Sequence, residues 1–396
     1  MTANIRSFLE TMRPETPCLI VDLEVVRAKY SELHAHFESP SVHYAVKANP
    51  APEVLRALAA LGSSFDIASP AELEACLELG VEPERLSYGN TVKKPVDIAF
   101  AYRRGVRDFV FDSVGELEKL SIHAPGSRVV CRLTTSGEGA DWPLSRKFGC
   151  EPDAAFGLMV QARELGLEPY GLSFHVGSQQ TNPHAWDAPI SDAAWLFAHL
   201  RAAGVRLRAI NLGGGLPAWY ARPVPPLSEY AEAIGAALER AFGHERPIVM
   251  LEPGRALVAE AGVIQTEVVL IAQREGRRWV YLDVGVFGGL VETLGEAIAY
   301  PICSSRTGQL GPVALAGPTC DSADVLYERT PYALPLSLEV GDRITIGSAG
   351  AYTASYASVG FNGFAPMRVY CVGLREPLPH EAHSSVSLQE VMACTR

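Results

Sequence analysis

A chain of 396 residues, 48% hydrophobic and 20% charged, is long enough for two or three packed units. Its formal net charge of −11 disfavours a nucleic-acid partner, and no apolar run is long enough to cross a bilayer. Eight scattered cysteines form no CxxC pair, so no metal centre is expected; with no apolar core in the opening "MTANIRSFLETMRPETP", they point to a reduced, cytoplasmic compartment.

In chain order, "CLIVDL" comes first, followed from about residue 40 by eight short β-like runs: "VHYAV", "SFDIA", "RLSYGN", "DFVFD", "RVVCRL", "GLSFHVG", "RAINLGG" and "PIVMLEPG". Amphipathic stretches such as "APEVLRALAALG" and "PDAAFGLMVQARELG" separate them. Alternation of strand and helix argues for a parallel sheet, and eight units over this length fit a (β/α)8 TIM-like barrel, with a doubly wound open sheet as the competing architecture. After Glu252 the pattern turns β-rich, with "GVIQTEVVLIAQ", "RRWVYLDVG", "GPVALAG", "LPLSLEVGDRITIG" and "MRVYCVG" separated by Gly and Pro. The expected organisation is a barrel over 26–254, an all-β, Greek-key-like domain from 1–25 plus 255–373, and a polar tail over 374–396.

In a barrel, the carboxyl ends of the strands form the active-site face. Lys47 stands there after the first run, Asp66 and Ser69 after the second, Asn90 after the third, His175 and Ser178 after the sixth, Gly213, Gly214 and Gly215 after the seventh, and Glu252 with Gly254 and Arg255 after the eighth. A lysine at a strand end can snorkel to solvent, a lone GGG is more often a turn, and a lone histidine or glutamate has structural uses. Their joint placement at one end suggests a single chemistry. A lysine amine can condense with an aldehyde cofactor. The glycine triplet lets backbone N–H groups approach a phosphate, with Gly254 and Arg255 completing the cup and Ser178 adding a hydroxyl. His175 can stack on a flat ring, and Glu252 can keep a pyridine nitrogen protonated, which makes the ring an electron sink. The implied cofactor is pyridoxal 5′-phosphate.

The motifs "YAVKANP", "FDIASPAEL", "SFHVGSQ", "LGGG", "EPGR", "GPTCDSAD" and "GAYTASYASVGFNGF" resemble the alanine-racemase-fold (fold type III) pyridoxal-phosphate amino-acid decarboxylases, bacterial ornithine decarboxylases above all, over residues 15 to 370. The resemblance implies that Lys47 carries the cofactor, that Asp66 is an acid beside it, and that Glu252 pairs with the pyridinium, where a racemase of this fold keeps a basic residue. It implies a head-to-tail homodimer with shared active sites, in which Cys320 and Asp321 cross the interface and Cys320 returns a proton to the α-carbon. Tyr352 would touch the cofactor phosphate from the β-domain. Asp321 and Glu296 would face the distal ammonium of the substrate, a solvated helix charge being the plainer reading of Glu296. One departure stands out. Where some relatives carry an arginine shortly before "KFG", this chain has Pro143, with Arg146 immediately before Lys147; whether Arg146 takes over a cofactor contact stays open.

The leading functional reading is therefore decarboxylation of a basic L-amino acid, L-ornithine to putrescine first. Lysine, arginine or a modified basic amino acid of a specialised pathway are the alternatives on the same mechanism. Diaminopimelate fits less well, since its distal carboxylate wants a basic partner and the motif offers Asp321. A cofactor-free regulatory homologue that binds a protein partner is the alternative of another class.

Overall fold

The computed structural model of the chain describes residues 1–38, 40–143 and 146–374. Its strands are β1 (Cys18–Asp22), β2 (Ser41–Ala45), β3 (Ser64–Ile67), β4 (Leu86–Tyr88), β5 (Asp108–Phe111), β6 (Arg128–Arg132), β7 (Ala140–Trp142), β8 (Glu168–Ser173), β9 (Ser178–Gln180), β10 (Ala209–Asn211) and β11 (Ile248–Leu251), then β12 (Gly262–Arg274), β13 (Arg277–Leu282), β14 (Ile302–Ser304), β15 (Leu310–Ala316), β16 (Val325–Pro335), β17 (Arg343–Ile346) and β18 (Arg368–Val372). Strands β2, β3, β4, β5, β6, β8, β10 and β11 close into a parallel barrel, and all eight runs read from the sequence supply its staves. The staves are buried on both faces, as β5 shows with four buried residues, because helices cover the outside and side chains fill the inside.

Four helices on the outside, Pro52–Ala60, Pro70–Glu78, Pro95–Arg103 and Pro152–Glu164, open on proline. Its fixed φ suits the first helical position, where no N–H is needed. The helix after β3 has a reciprocal cap: the Glu72 N–H donates to Ser69 Oγ (3.3 Å), and Glu72 Oε2 reaches back to accept from the Ala68 N–H (2.7 Å). This pins the short turn that follows Asp66.

The second unit is a mixed sheet in the order β14-β17-β12-β13-β15-β16. The run "CLIVDL" joins it as β1, antiparallel to β12 and parallel to β18. Two features are not visible in the sequence pattern. A small hairpin-like pair, β7 with β9, lies beside the barrel strands, and β16 starts at Val325 and ends at Pro335, so "LPLSLEVG" is largely a turn rather than a strand. Cys18, Cys76 and Cys131 are buried and serve as small core residues. No helix among the described residues is long and apolar enough to cross a membrane. Apart from Leu374, the polar tail lies outside the described residues.

Candidate active site

Lys47 sits on a single turn, Val46–Ala48, directly after β2. Two contacts clasp that turn to the β-domain: the Tyr352 N–H donates to Ala48 O (2.8 Å), and Asn49 Nδ2 donates to Gly350 O (2.8 Å). Lys47 Nζ donates to Asp66 Oδ2 at 2.7 Å; Asp66 is buried, while the lysine side chain keeps 44% of its surface open towards the mouth. Asp66 Oδ1 is buried and has no partner. Gly89 makes room for this carboxylate, since a Cβ there would lie 1.9 Å from Oδ1. Desolvation pulls the Lys47 ammonium down, but the charges of Asp66, Tyr352 and Glu252 together outweigh it and hold the amine above its ordinary value.

Glu252 follows β11. Asn211 Nδ2 donates to Glu252 Oε1 at 2.6 Å, and Asn211 Oδ1 accepts the Gly213 N–H at 2.9 Å, which fixes which way the amide faces. Burial first, then Asp66, push the Glu252 carboxyl up to about 7, against the pull of Lys47 and of the Asn211 hydrogen bond. A cationic ring nitrogen is the natural partner for an acid held at this balance.

His175 Nδ1 accepts the Gly177 N–H at 3.0 Å, so the ring proton belongs on Nε2. Burial, then the charges of Arg132 and Lys47, push its pKa down to about 3, which leaves a neutral flat ring in the mouth. Arg132, at the end of β6, lies in the field of Glu252, Asp112 and Asp66.

The glycine turn is tight. Gly213 has φ +68° and a Cβ there would lie 2.1 Å from Phe174 O; at Gly214 a Cβ would meet Glu252 O at 2.8 Å and His175 Nε2 at 3.0 Å. Among the described residues, the N–H groups of Gly214 and Gly215 have no acceptor within the chain. Gly254 stands opposite, where a Cβ would lie 2.9 Å from Tyr352 Oη and 2.8 Å from Ala48 Cβ. Tyr352 thus reaches the mouth of its own barrel. Ser178 is buried, and its Oγ accepts from Arg255.

Other expected site residues lie elsewhere. Cys320 and Asp321 are exposed. The Cys320 N–H donates to Asn362 Oδ1 (3.0 Å), Asn362 Nδ2 donates to Cys320 Sγ (3.2 Å), and Asp321 Oδ1 accepts the Ala323 N–H (2.8 Å). No residue of the mouth is among their partners. The loop itself hangs on buried Asp324, which accepts from the N–H of Val286 and from the N–H and hydroxyl of Thr319.

Glu296 is engaged within its own chain. Its Oε1 accepts the N–H of Glu328 and Arg329, and its Oε2 the N–H and hydroxyl of Thr330, at 2.6–2.9 Å. Burial alone would raise its pKa, but these bonds overcome that and hold it at about 2. It anchors the middle of β16 through both of its oxygens. Arg146 is exposed, with φ +81° and no hydrogen-bonding or ionic partner among the described residues.

Sequence reasoning missed Asn211 and Arg132, as well as Glu292 and Tyr220, which accept hydrogen bonds from buried Arg255. The first two had a signal, a polar residue ending an apolar stave in "RAINLGG" and "RVVCRL"; Glu292, in "VETLG", had none. Among the described residues no group of three His, Cys, Asp or Glu side chains is placed to hold a metal ion.

A barrel mouth with a lysine on an acid, a neutral histidine, a glycine turn with free N–H groups and a carboxylate on a strand end defines a fold type III pyridoxal-phosphate protein. The residues fit that cofactor: the glycine turn has room only for backbone, and among the described residues the N–H groups of Gly214 and Gly215 lack acceptors. The comparisons agree. The family described as "Pyridoxal-dependent decarboxylase, pyridoxal binding domain" matches residues 23–259, and the chain belongs to it. It is 34% identical to a lysine/ornithine decarboxylase of Selenomonas ruminantium, over 89% of this chain and 88% of the relative. It is equally 34% identical to an antizyme inhibitor 2 of Xenopus laevis, over 87% of this chain and 77% of the relative. The crystal structure of a lysine/ornithine decarboxylase from Vibrio vulnificus complexed with cadaverine superposes with a TM-score of 0.85 at 33% identity, covering 93% of this chain and 98% of that one.

Proposed function

We propose that this protein decarboxylates a basic L-amino acid, L-ornithine to putrescine first, as a homodimer with shared active sites. The observation that carries the reaction type is Glu252, an acid held by Asn211 in the mouth beside Lys47 and Asp66. Bound pyridoxal phosphate supplies an electron sink for the pair released when the carboxylate leaves as carbon dioxide. The chain's residues do the rest. Lys47 would hold the cofactor through its aldehyde, and Asp66 keeps the lysine amine oriented. Glu252 holds the proton on the ring nitrogen, and His175 offers its neutral face to the ring. Cys320, carried from a second copy, delivers a proton to the α-carbon. Asp321 beside it receives the distal ammonium, whose desolvation needs an acidic partner.

Two observations support the shared site. Cys320 and Asp321 are exposed without a mouth residue among their partners, and the segment of Asn362, to which Cys320 is bonded, displays exposed Val359 (93%) and Phe364. Lysine is the first alternative substrate, since the Selenomonas relative is named for both amino acids; arginine or a modified basic amino acid follows.

The likeness to an antizyme inhibitor favours a second reading, a regulator without cofactor. The deciding test is to purify the protein with pyridoxal phosphate, record its visible absorbance, and measure carbon dioxide release from ornithine, lysine, arginine and an apolar control. Colour with release from ornithine supports the proposal. Preference for an apolar or acidic amino acid sinks the substrate assignment, and a colourless protein with no release supports the regulator.

A further inference from the structure

Cys131 and Cys150 are the one hydrogen-bonded pair of thiols among the described residues, with Sγ atoms 3.6 Å apart. The topology brings them together. Strand β5 ends at Phe111, beside Cys131, and leaves the edge of β6 open beyond that point. The segment 149–150 takes this edge. The Cys150 N–H donates to Arg132 O (3.0 Å), the Thr134 N–H donates to Cys150 O (3.0 Å), and Cys150 lies opposite Leu133 in a parallel bridge. Gly149 permits the close approach: its N–H donates to Asp112 Oδ2 (2.9 Å), its φ is +91°, and a Cβ there would lie 2.6 Å from Leu133 C. On an extended chain Cys131 and Leu133 share a face, so the Cys150 side chain comes over Cys131, while Arg132 between them points to the other face.

The two thiols are unlike. Cys131 is fully buried and Cys150 is partly open to solvent. Their shared hydrogen bond, then burial, holds the Cys131 thiol well above its ordinary value. The same bond, against burial, draws Cys150 below that value. The thiolate is the reactive form of cysteine. The partly open sulfur is therefore the nucleophile, and the buried sulfur is in place to resolve what forms on it.

We propose that Cys131 and Cys150 are a redox pair, which a hydroperoxide closes into a disulfide and a small thiol reopens. In the first step the Cys150 thiolate attacks a peroxide oxygen. An S–O bond forms, the O–O bond breaks, and the leaving alkoxide takes up the proton that the thiol released, so sulfur is oxidised and the peroxide is reduced to an alcohol. In the second step Cys131 Sγ attacks Cys150 Sγ of the sulfenic acid. An S–S bond forms, the S–O bond breaks, and the hydroxide leaves with the Cys131 proton as water. Two thiols and one hydroperoxide thus give one disulfide, one alcohol and one water. The sulfurs move from 3.6 Å to about 2.05 Å apart. The bond ties the segment 147–150 to β6 behind Arg132, whose guanidinium lies 4.9 Å over the Phe148 ring of that segment. The state of the pair sets how firmly this wall of the mouth is held.

The test treats the full-length protein with tert-butyl hydroperoxide, blocks the remaining thiols with an alkylating agent under denaturing conditions, and maps the peptides by mass without reduction. The parent should yield a linked peptide joining Cys131 to Cys150, lighter by two hydrogens than the separate thiols, and dithiothreitol should remove it. Cys131→Ser should stop at the sulfenic acid of Cys150, which dimedone traps. Cys150→Ser should leave Cys131 as a free, alkylated thiol. The oxidised parent should unfold at higher urea than the reduced parent, because the cross-link restricts the unfolded chain. Neither variant should show that shift, which separates this pair from oxidation at exposed Cys303 and Cys320.

Recovery of both cysteines as free thiols from peroxide-treated parent, with Cys303 and Cys320 oxidised in the same sample, would overturn the proposal. So would a parent in which Cys150 passes to the sulfinic acid as readily as in Cys131→Ser, because Cys131 would then resolve nothing. A linked parent that unfolds at the same urea as the reduced protein would refute the tie between the segment and β6. Should Cys131→Ser not fold, Cys131→Ala carries the same comparison, and the linked peptide of the parent stands or falls without any variant.

Discussion

At the barrel mouth, Lys47, Asp66, His175, Glu252 and Tyr352 come from five separated segments of one chain and already lie in each other's hydrogen bonds or fields. On the loop after β15, Cys320 and Asp321 face solvent and bond only Asn362 and Ala323 among the described residues. The first region is finished by folding. The second presents chemistry with nothing to act on inside its own chain. The proposed cofactor groups thus stand on strand ends, where packing fixes them, while the proposed proton donor and cation partner sit on a loop held by Asp324 and Asn362. In the shared site proposed above, turnover depends on assembly, and cofactor attachment on folding alone.

The sharpest way to break this comparison is complementation. Lys47→Ala and Cys320→Ala proteins should each be inactive or nearly so. After subunit exchange at equal amounts, half the dimers are mixed and each holds one intact site, so activity should return to about a quarter of the parent's. No recovery despite proven exchange would put both residues in one chain's site.

Asp321→Asn comes next. It should lower kcat/KM for ornithine by the equivalent of about 2–5 kcal/mol, the cost of leaving a buried charge unpaired, while the affinity for cofactor stays at the parent's value. An unchanged kcat/KM would remove Asp321 from substrate recognition.

Glu252→Gln should lower turnover roughly a hundredfold, the scale of losing one charge-stabilising group. It also has a pH signature in cofactor-free protein. The Glu252 carboxyl lies at about 7 in the fold against an ordinary 4.5. The folded state then keeps a proton that the unfolded chain has lost, so this group's contribution to stability falls as pH rises between those values. Glu252→Gln should gain on the parent in urea unfolding at pH 8, and the gain should vanish below pH 4.5. His175 works the other way: at about 3 against an ordinary 6.5, it withdraws stability as pH falls through that window.

The smallest effect on catalysis is expected at Glu296. Glu296→Gln should leave the ranking of ornithine, lysine and arginine unchanged and cost stability instead, by about 1–3 kcal/mol for donors left without a full partner in β16. A changed ranking with parental stability would return Glu296 to the substrate's side.

The barrel was legible because periodicity and strand-end chemistry are local: an apolar stave followed by a lysine, a glycine triplet or an acid can be read from ten residues. The placement of Glu296 was not, because a carboxylate's partners 32 to 34 residues away, at Glu328 to Thr330, leave no trace in its own segment. Glu292 escaped for the same reason: its partner Arg255 is 37 residues away. Asn211 could have been found, since a polar residue that ends an apolar stave must satisfy its amide somewhere, and here it does so on Glu252 and Gly213. The small β7–β9 pair was hidden because three-residue strands fall below any periodicity.

The clasp between the Lys47 turn and the β-domain has a thermodynamic consequence. Ala48 and Asn49 flank the lysine and are bonded to Tyr352 and Gly350 across the seam between the two units. A ligand anchored on Lys47 and bounded by Tyr352 binds the closed seam and not the parted one. By mass action it then stabilises the docking of the two units by RT ln(1 + [L]/Kd), about 2.7 kcal/mol at a hundredfold excess over Kd. With the cofactor on Lys47 as proposed, its loading and the closure of the seam become a single linked equilibrium.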